Sequence, residues 1–115
     1  MNSLMITDTG LAGQTIEAIQ SVFVRYPQID KAILYGSRAK GTYRKSSDID
    51  LTLEGGALTL SLLNKIDTEL DDLLLPYQID LSIRHKIGNT DLQDHIERVG
   101  KVFYNKGSRE EQQAL

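Results

Sequence analysis

Residues 32–53 read AILYGSRAKGTYRKSSDIDLTL, and this stretch decides how the chain folds. It begins with a short apolar run that stops at Gly36, a pattern typical of a buried strand. It ends in residues 48–53, where polar residues alternate with apolar ones, as expected of a strand with one buried face. Between them, residues 36–47 contain two glycines and four basic residues without an apolar period. They therefore predict a loop that joins two strands.

The flanking sequence predicts three helices and one more strand. Apolar residues recur at helical spacing over residues 16–26, 62–74 and 92–103. Residues 79–84 alternate in polarity and predict a third strand. Thr7 and Asp8 are candidate N-caps of the first helix, and residues 90–93 resemble a capping box before the last one. The predicted order αββαβα describes an α/β (α+β) domain with a small mixed sheet backed by helices.

The composition describes one ordinary globular domain. The chain has 115 residues, of which 40% are hydrophobic and 25% charged, close to the globular average. We expect a domain over residues 1–104 and a polar tail over residues 105–115. The net charge of −3 argues against direct nucleic-acid binding, because such binders need clustered Lys and Arg. The chain has no cysteine and no apolar run near the roughly 18 residues of a membrane span, so we expect a cytoplasmic protein.

Three aspartates on the predicted strands are candidate metal ligands. Asp48 and Asp50 project from one face of their strand, where two ionised carboxylates repel each other unless a cation lies between them. Asp80 opposes the apolar face of the third strand and can point to the same side of the sheet. Such a cluster suits magnesium and phosphoryl chemistry with two metal ions. An isolated Asp-x-Asp is more often the solvated face of a strand, so the surrounding sequence has to decide between that interpretation and a metal site.

The loop that follows the first strand is a candidate phosphate site. Gly36 lets the backbone approach a phosphate closely, and Ser37 offers both a hydroxyl and an N–H group. Arg38 adds a cationic group that can pair with phosphate oxygens. The loop is not of the Walker A type, because Thr42 and Tyr43 stand where Lys and Ser or Thr are required. Taken alone, it is more simply a flexible strand exit.

The remaining candidates favour structural roles. Tyr35 and Tyr43 flank the loop, where they can stack on a base or, by default, pack on the sheet. His85 and His95 lack a third ligand at metal spacing. His95 also lies on the apolar face of its predicted helix, which favours a satisfied structural histidine.

Gly36-Ser37, ten intervening residues and Asp48-Ile49-Asp50 together form the pattern Gly-Ser-x10-Asp-x-Asp. This pattern resembles the signature of the DNA polymerase β-like nucleotidyltransferases, and more closely that of the minimal nucleotidyltransferase (MNT) proteins. Its four fixed positions arise by chance in about one chain in a thousand of this length. The resemblance covers residues 32–53, and residues 79–81 fit the family's third-carboxylate strand.

The resemblance implies the polymerase β-like nucleotidyltransferase fold and transfer of a nucleotidyl group with release of pyrophosphate. It implies that Asp48 and Asp50 are catalytic and hold magnesium, with two ions expected. It implies that Asp80 completes this site as a third catalytic carboxylate and metal ligand beside the acceptor.

The resemblance also implies the nucleotide contacts. Gly36 and Ser37 match the positions that hold the phosphates of ATP or another nucleoside triphosphate. Arg38 is a further nucleotide-binding candidate, and Lys45 a weaker one, because such residues as often brace the loop as touch phosphate.

Small MNT proteins are commonly paired with HEPN-domain toxins, and the resemblance implies an antitoxin that transfers AMP to a Tyr of such a partner. One alternative is a nucleotidyltransferase subunit whose helical partner chain binds a small-molecule acceptor, as in the aminoglycoside nucleotidyltransferases. Another is an antitoxin that binds its partner without turnover. The small core also leaves a homo-oligomer as an expectation.

Overall fold

Four strands form a single mixed sheet in the computed structural model, which describes residues 8–107. The strands are β1 (Lys31–Tyr35), β2 (Ile49–Glu54), β3 (Ile79–Ile83) and β4 (Lys101–Asn105). They lie in the order β3-β2-β1-β4, with β1 antiparallel to both neighbours and β2 parallel to β3. The predicted α/β domain with a small mixed sheet is confirmed, with one strand more than expected.

Four α-helices join and cover these strands within the described residues. They are α1 (Gly13–Val24), α2 (Ser37–Lys40), α3 (Leu60–Asp71) and α4 (Thr90–Val99). The short helix α2 lies inside the predicted loop between β1 and β2, and a 3-10 turn, Arg84–Lys86, leads from β3 towards α4. The observed order thus alternates helix and strand along the whole described chain.

Helices α1 and α3 cover one face of the sheet and α4 packs against the other. The main core cluster joins buried side chains of α1, α3 and the strands: Ile19, Phe23, Ile66, Leu70, Leu34, Leu51 and Leu53. Ile33 points to the opposite face because it alternates with Leu34. Ile33 and the α4 residue Ile96 are both buried outside that cluster, and both approach Gly100 closely. One helix therefore covers only part of this second face.

The last predicted helix is wrong in its final four residues, 100–103. Helix α4 ends at Val99, and Gly100 has the extended backbone angles φ −60° and ψ 141°. Val102 and Phe103 then lie on β4, which pairs with β1. A short apolar run after a glycine fits helix and strand equally well by periodicity, so pairing with β1 decides its structure.

The helix predicted over residues 62–74 begins two residues earlier and ends at Asp71. Leu74 is therefore not part of its apolar face. Its side chain is 88% exposed and its φ is +55°. Pro76 disfavours helical backbone at Leu75, the residue before it, so the helix could not have continued through this segment.

Both predicted N-caps are corrected. Ala12 is the N-cap of α1 and makes no side-chain capping bond, so Asp8 does not cap this helix, and Thr7 lies outside the described residues. Helix α4 is capped by Asn89 rather than by Thr90. The Asn89 side chain accepts a hydrogen bond of 3.1 Å from the third N–H of the helix, the contact for which asparagine is favoured at this position.

The end of the described chain stays attached to the domain. Strand β4 runs to Asn105, and the Lys106 ammonium donates to the Pro27 carbonyl at 2.9 Å. The rest of the predicted tail, residues 108–115, lies outside the described residues, as do residues 1–7. Within residues 8–107, no helix has the length and apolar character to cross a membrane.

Candidate active site

One row of side chains crosses three strands of the sheet. In the strand register, Asp50 on β2 lies opposite Tyr35 on β1 and opposite Asp80 on β3. Residues paired in this way project from the same face of a sheet and lie side by side. We call Tyr35, Asp50 and Asp80 the site row. Asp48 stands one residue before β2, where it is exposed to solvent.

The site row concentrates negative charge around Asp50. Burial, the adjacent carboxyl of Asp80 and the charge of Asp48 together raise the pKa of the Asp50 carboxyl to about 6, with burial the largest cause. Like charges at short range disfavour the ionised form in this way. Among residues 8–107, no group of three or more His, Cys, Asp or Glu side chains stands in metal-binding geometry as arranged. The three aspartates are thus electrostatically coupled without forming a finished ligand cage.

The glycine turn after β1 lies directly against Asp50. Gly36 has φ +75° and ψ −157°, a backbone region that is essentially restricted to glycine. A Cβ atom at Gly36 would stand 2.2 Å from Oδ2 of Asp50. Ser37 follows as the first residue of α2. The fold therefore brings the predicted phosphate turn and the predicted metal ligand into direct contact.

Arg38 is buried inside the loop, with a relative exposure of 1%. Its guanidinium donates to the carbonyls of Thr9 at 2.8 Å and Ser47 at 3.0 and 3.1 Å. The rings of Tyr43 and Tyr77 lie 5.2 and 4.9 Å from its guanidinium carbon. Guanidinium groups stack favourably on aromatic rings in this way. The described contacts of Arg38 are thus with the protein's own main chain and tyrosines.

Tyr35, for which the sequence favoured packing on the sheet, lies in the site row beside Asp50. Burial raises the pKa of its phenol, the charges of Asp50 and Asp80 raise it further, and the hydroxyl of Ser82 beside it lowers it. The Ser82 hydroxyl is buried and makes no hydrogen bond of ordinary geometry among the described residues. Tyr35 is therefore a neutral phenol beside two carboxylates. The alternation of β1 indicates on which face of the strand Tyr35 lies. Only the pairing of Tyr35 with Asp50 shows that this face carries the aspartates.

His95 is held by the same turn. The Gly36 N–H donates to Nε2 of His95 at 3.1 Å, so this histidine is satisfied, as its apolar helix face predicted. The unexpected feature is its partner, which is the main chain of the predicted phosphate turn. Lys45 and His85 are exposed and outside the site row.

Solved structures of similar fold come from toxin–antitoxin complexes. One is a crystal structure of a toxin–antitoxin with AMP-PNP, with a TM-score of 0.65 and 21% identity, covering 84% of this chain and 78% of that one. A second is the MntA–HepT toxin–antitoxin, with a TM-score of 0.62 and 17% identity, covering 88% of this chain and 79% of that one.

A third similar structure is a tri-AMPylated HEPN toxin from Shewanella oneidensis in complex with its MNT antitoxin. The TM-score is 0.61 and the identity 18%, covering 86% of this chain and 76% of that one. At these identities the likeness concerns the fold.

Sequence comparison provides the family. No curated protein sequence matches the chain significantly. The family model described as "Polymerase beta, Nucleotidyltransferase" matches residues 17–109, which include the glycine turn and the three aspartates. That range is most of the chain, and it carries the fold and motif described above. The chain belongs to the polymerase β nucleotidyltransferase family.

Proposed function

We propose that this protein is a magnesium-dependent nucleotidyltransferase that moves AMP from ATP to a tyrosine hydroxyl of a HEPN-domain toxin, and so acts as its antitoxin. The observation that carries the proposal is the contact of the Gly36 turn with Asp50, beside Asp80. It sets a phosphate-binding turn next to clustered carboxylates. Nucleotidyl transfer needs both at one place.

Asp48, Asp50 and Asp80 would hold the magnesium. The donor set fits, because hard divalent cations prefer carboxylate oxygens, and the pKa of Asp50 is raised by burial first and then by the neighbouring carboxyls of Asp80 and Asp48, which a cation would neutralise. When bound, magnesium would neutralise the charge that develops on the phosphates during transfer. The side chains have to draw together around it, since no three ligands stand in binding geometry as described for residues 8–107.

Ser37 and Gly36 would bind the triphosphate. The missing side chain of Gly36 lets the turn lie directly against the Asp50 carboxylate, and Ser37 at the start of α2 carries a hydroxyl and an N–H that can donate to a phosphate. Arg38 would support this arrangement from inside the loop, because its guanidinium is already bonded to main-chain carbonyls. The direct nucleotide contact expected from the sequence stays a prediction.

The acceptor hydroxyl would enter beside Asp80. Asp80 is exposed on β3, an edge strand of the sheet, so a second molecule can approach it. In the transfer, the acceptor oxygen bonds to the α-phosphorus, its proton passes to a site carboxylate, and pyrophosphate leaves. A HEPN partner is favoured as the acceptor because a structurally similar MNT antitoxin was solved with an AMPylated HEPN toxin, and the choice of a tyrosine on it rests on the family resemblance.

The test is transfer of label from ATP carrying a radioactive α-phosphate. The purified chain is incubated with magnesium and the product of the neighbouring gene, and separately with small hydroxylated acceptors. We expect label on a tyrosine of the partner protein. Label on a small molecule would instead support the subunit alternative, and no label on either would support an antitoxin that acts by contact alone.

Three variants sharpen this experiment. Asp48→Asn and Asp50→Asn conserve shape and remove the charge that binds a cation, so both should abolish transfer while the fold and partner binding persist. Asp72→Asn, at an exposed aspartate just after α3, is the matched control and should transfer normally. A double variant of Asp48 and Asp50 with wild-type turnover would refute the catalytic assignment.

A further inference from the structure

The main-chain amide of Gly36 is bonded across the fold by a helix side chain. Its N–H donates to Nε2 of His95, a residue 59 positions later in the chain, at 3.1 Å. An N–H group can only donate, so Nε2 must carry the lone pair of a neutral ring and the ring proton must lie on Nδ1. The contact therefore specifies one tautomer of His95.

The position of β4 explains why a side chain makes this contact. On that side of β1, strand pairing extends only to Leu34, which lies opposite Lys101, the first residue of β4. Gly100 and helix α4 precede Lys101, so β4 does not extend to pair with Gly36. His95 supplies the hydrogen-bond acceptor for the Gly36 N–H that a neighbouring strand would otherwise provide.

His95 is itself held firmly. Its ring meets the ring of Tyr35 edge to face, with centroids 6.1 Å apart and an interplanar angle of 81°. The neighbouring residue Ile96 is buried, and Gln93 on the same helix donates to the carbonyls of Arg84 at 2.9 Å and Ile87 at 3.2 Å. The imidazole thus connects an anchored helix to two consecutive residues of the site.

We propose that His95 is a positioning residue: through the Gly36 N–H it holds the glycine turn in the conformation that presents Ser37 and Asp50 to the nucleotide. The proposal rests on the function proposed above. It also means that the Gly36 N–H is already used, so the turn would contact phosphate through Ser37. Helix α4 becomes part of the nucleotide site without touching the nucleotide.

Two substitutions separate the hydrogen bond from the packing. His95→Gln keeps an acceptor oxygen near the position of Nε2, whereas His95→Phe keeps the ring beside Tyr35 and removes the acceptor. Dissociation constants for a non-hydrolysable ATP analogue with magnesium are measured by calorimetry. We expect about tenfold weaker binding for His95→Phe, the scale of one lost hydrogen bond in a charged site, and binding within about twofold of wild type for His95→Gln.

His85→Phe is the matched control, because His85 is exposed in the 3-10 turn after β3. It should bind the analogue as wild type does. Melting temperatures of all variants are recorded, since a purely structural role would lower stability and leave the affinity of the folded protein unchanged. Equal affinities in wild type and His95→Phe would overturn the proposal.

A second measurement does not depend on nucleotide binding. Nitrogen-15 correlation spectra of the imidazole rings report the tautomer, and we expect His95 protonated on Nδ1, with the Gly36 amide shifted in His95→Phe. A ring protonated on Nε2 in the wild type would overturn the proposal whatever the binding data show. If the wild type fails to bind nucleotide but shows the expected tautomer and shift, the proposed function fails while the His95 contact stands.

Discussion

Gly36 combines a backbone requirement with a packing requirement at one residue. Its φ of +75° and ψ of −157° are costly for any residue with a Cβ, and the space where that Cβ would lie is taken by the Asp50 carboxylate. The contact therefore depends on the absence of a side chain. Because Gly36 and Asp50 touch at this point, a substitution at either residue should displace the other.

Gly36→Ala should be destabilising by about 1–3 kcal/mol from backbone strain, and it should also displace Asp50 and abolish transfer. Gly41→Ala is the matched control, because Gly41 has φ +83° but open space around its Cβ position. It should show a smaller loss, about 1 kcal/mol, and retain transfer. Urea unfolding and the labelling assay measure both effects. Equal losses in the two variants, with transfer intact in both, would contradict this account of the site.

Asp50 makes the stability of the metal-free protein depend on pH. Its folded pKa of about 6 lies above the ordinary value of 3.8, so the folded state holds this proton more strongly than the unfolded chain. The resulting stabilisation is present below about pH 4 and is lost as the pH rises through about 6. Without metal, the contribution of Asp50 to the free energy of unfolding should therefore fall over this range.

Asp50→Asn should remove the loss of stability that accompanies ionisation of Asp50. At about pH 7.5 without metal, we expect this variant to be as stable as wild type or slightly more so, with the difference shrinking towards about pH 4. Melting scans across pH measure this, and Asp72→Asn should follow the wild type throughout. A metal-free Asp50→Asn protein that melts several degrees below wild type would identify Asp50 as a structural hydrogen-bonding residue instead.

At the scale of elements, the segment between β1 and β2 is organised around one buried cation. Arg38 on α2 bonds to the carbonyl of Thr9, before α1, and to that of Ser47, next to Asp48. Tyr77, just before β3, stacks on the same guanidinium. The three segments that lead into the site are thus tied to a single side chain. Helix α2 has four residues and gains its stability from this network rather than from its length.

Arg38→Met should destabilise the protein by about 3 kcal/mol or more, because several buried carbonyls lose their donor. For a domain of this size that corresponds to a fall in melting temperature of about 10 °C or more. Arg44→Met, at an exposed arginine of the same loop, should change little. Thermal unfolding measures both variants.

Arg38→Lys separates bracing from phosphate binding. A lysine keeps the charge but not the planar fork of donors, so it should also lower stability. If Arg38 touches phosphate instead, Arg38→Lys should leave stability unchanged and weaken only nucleotide binding. That result would restore the nucleotide contact expected from the sequence.

At the scale of the whole molecule, the sheet has one fully covered face and one partly covered face. Helices α1 and α3 close the first, while α4 closes part of the second, on which the site row lies. The exposed position of Asp80 on an edge strand leaves the acceptor side of the site open. A partner chain that closes this side of the site is part of the function proposed above.

Ligands should therefore stabilise the whole domain through the site carboxylates. Magnesium with a nucleotide at ten times the dissociation constant should stabilise wild type by about 1.4 kcal/mol, because the ligands bind only the folded state. Asp50→Asn should gain much less. The two proteins should therefore exchange their order of melting temperature when the ligands are added. Equal ligand-induced shifts would mean that Asp50 does not take part in binding.

The sequence by itself determined the local elements and the chemistry they carry. Residues 32–53 specify two strands and the loop between them, because the alternation of polar and apolar residues and the positions of glycine are local features of the sequence. The same stretch contains the spaced Gly-Ser and Asp-x-Asp motifs, and the family match includes it. The fold class and the mixed sheet followed from this local information.

The tertiary structure alone decided which distant residues meet. Strand β4 forms because β1 offers it an edge, although its apolar run suits a helix equally well. Tyr35 joins the site through its register with Asp50, and His95 reaches Gly36 from 59 residues away. Arg38 turns inward because main-chain carbonyls converge on it. Periodicity along a chain carries no record of such pairings, because they depend on long-range packing.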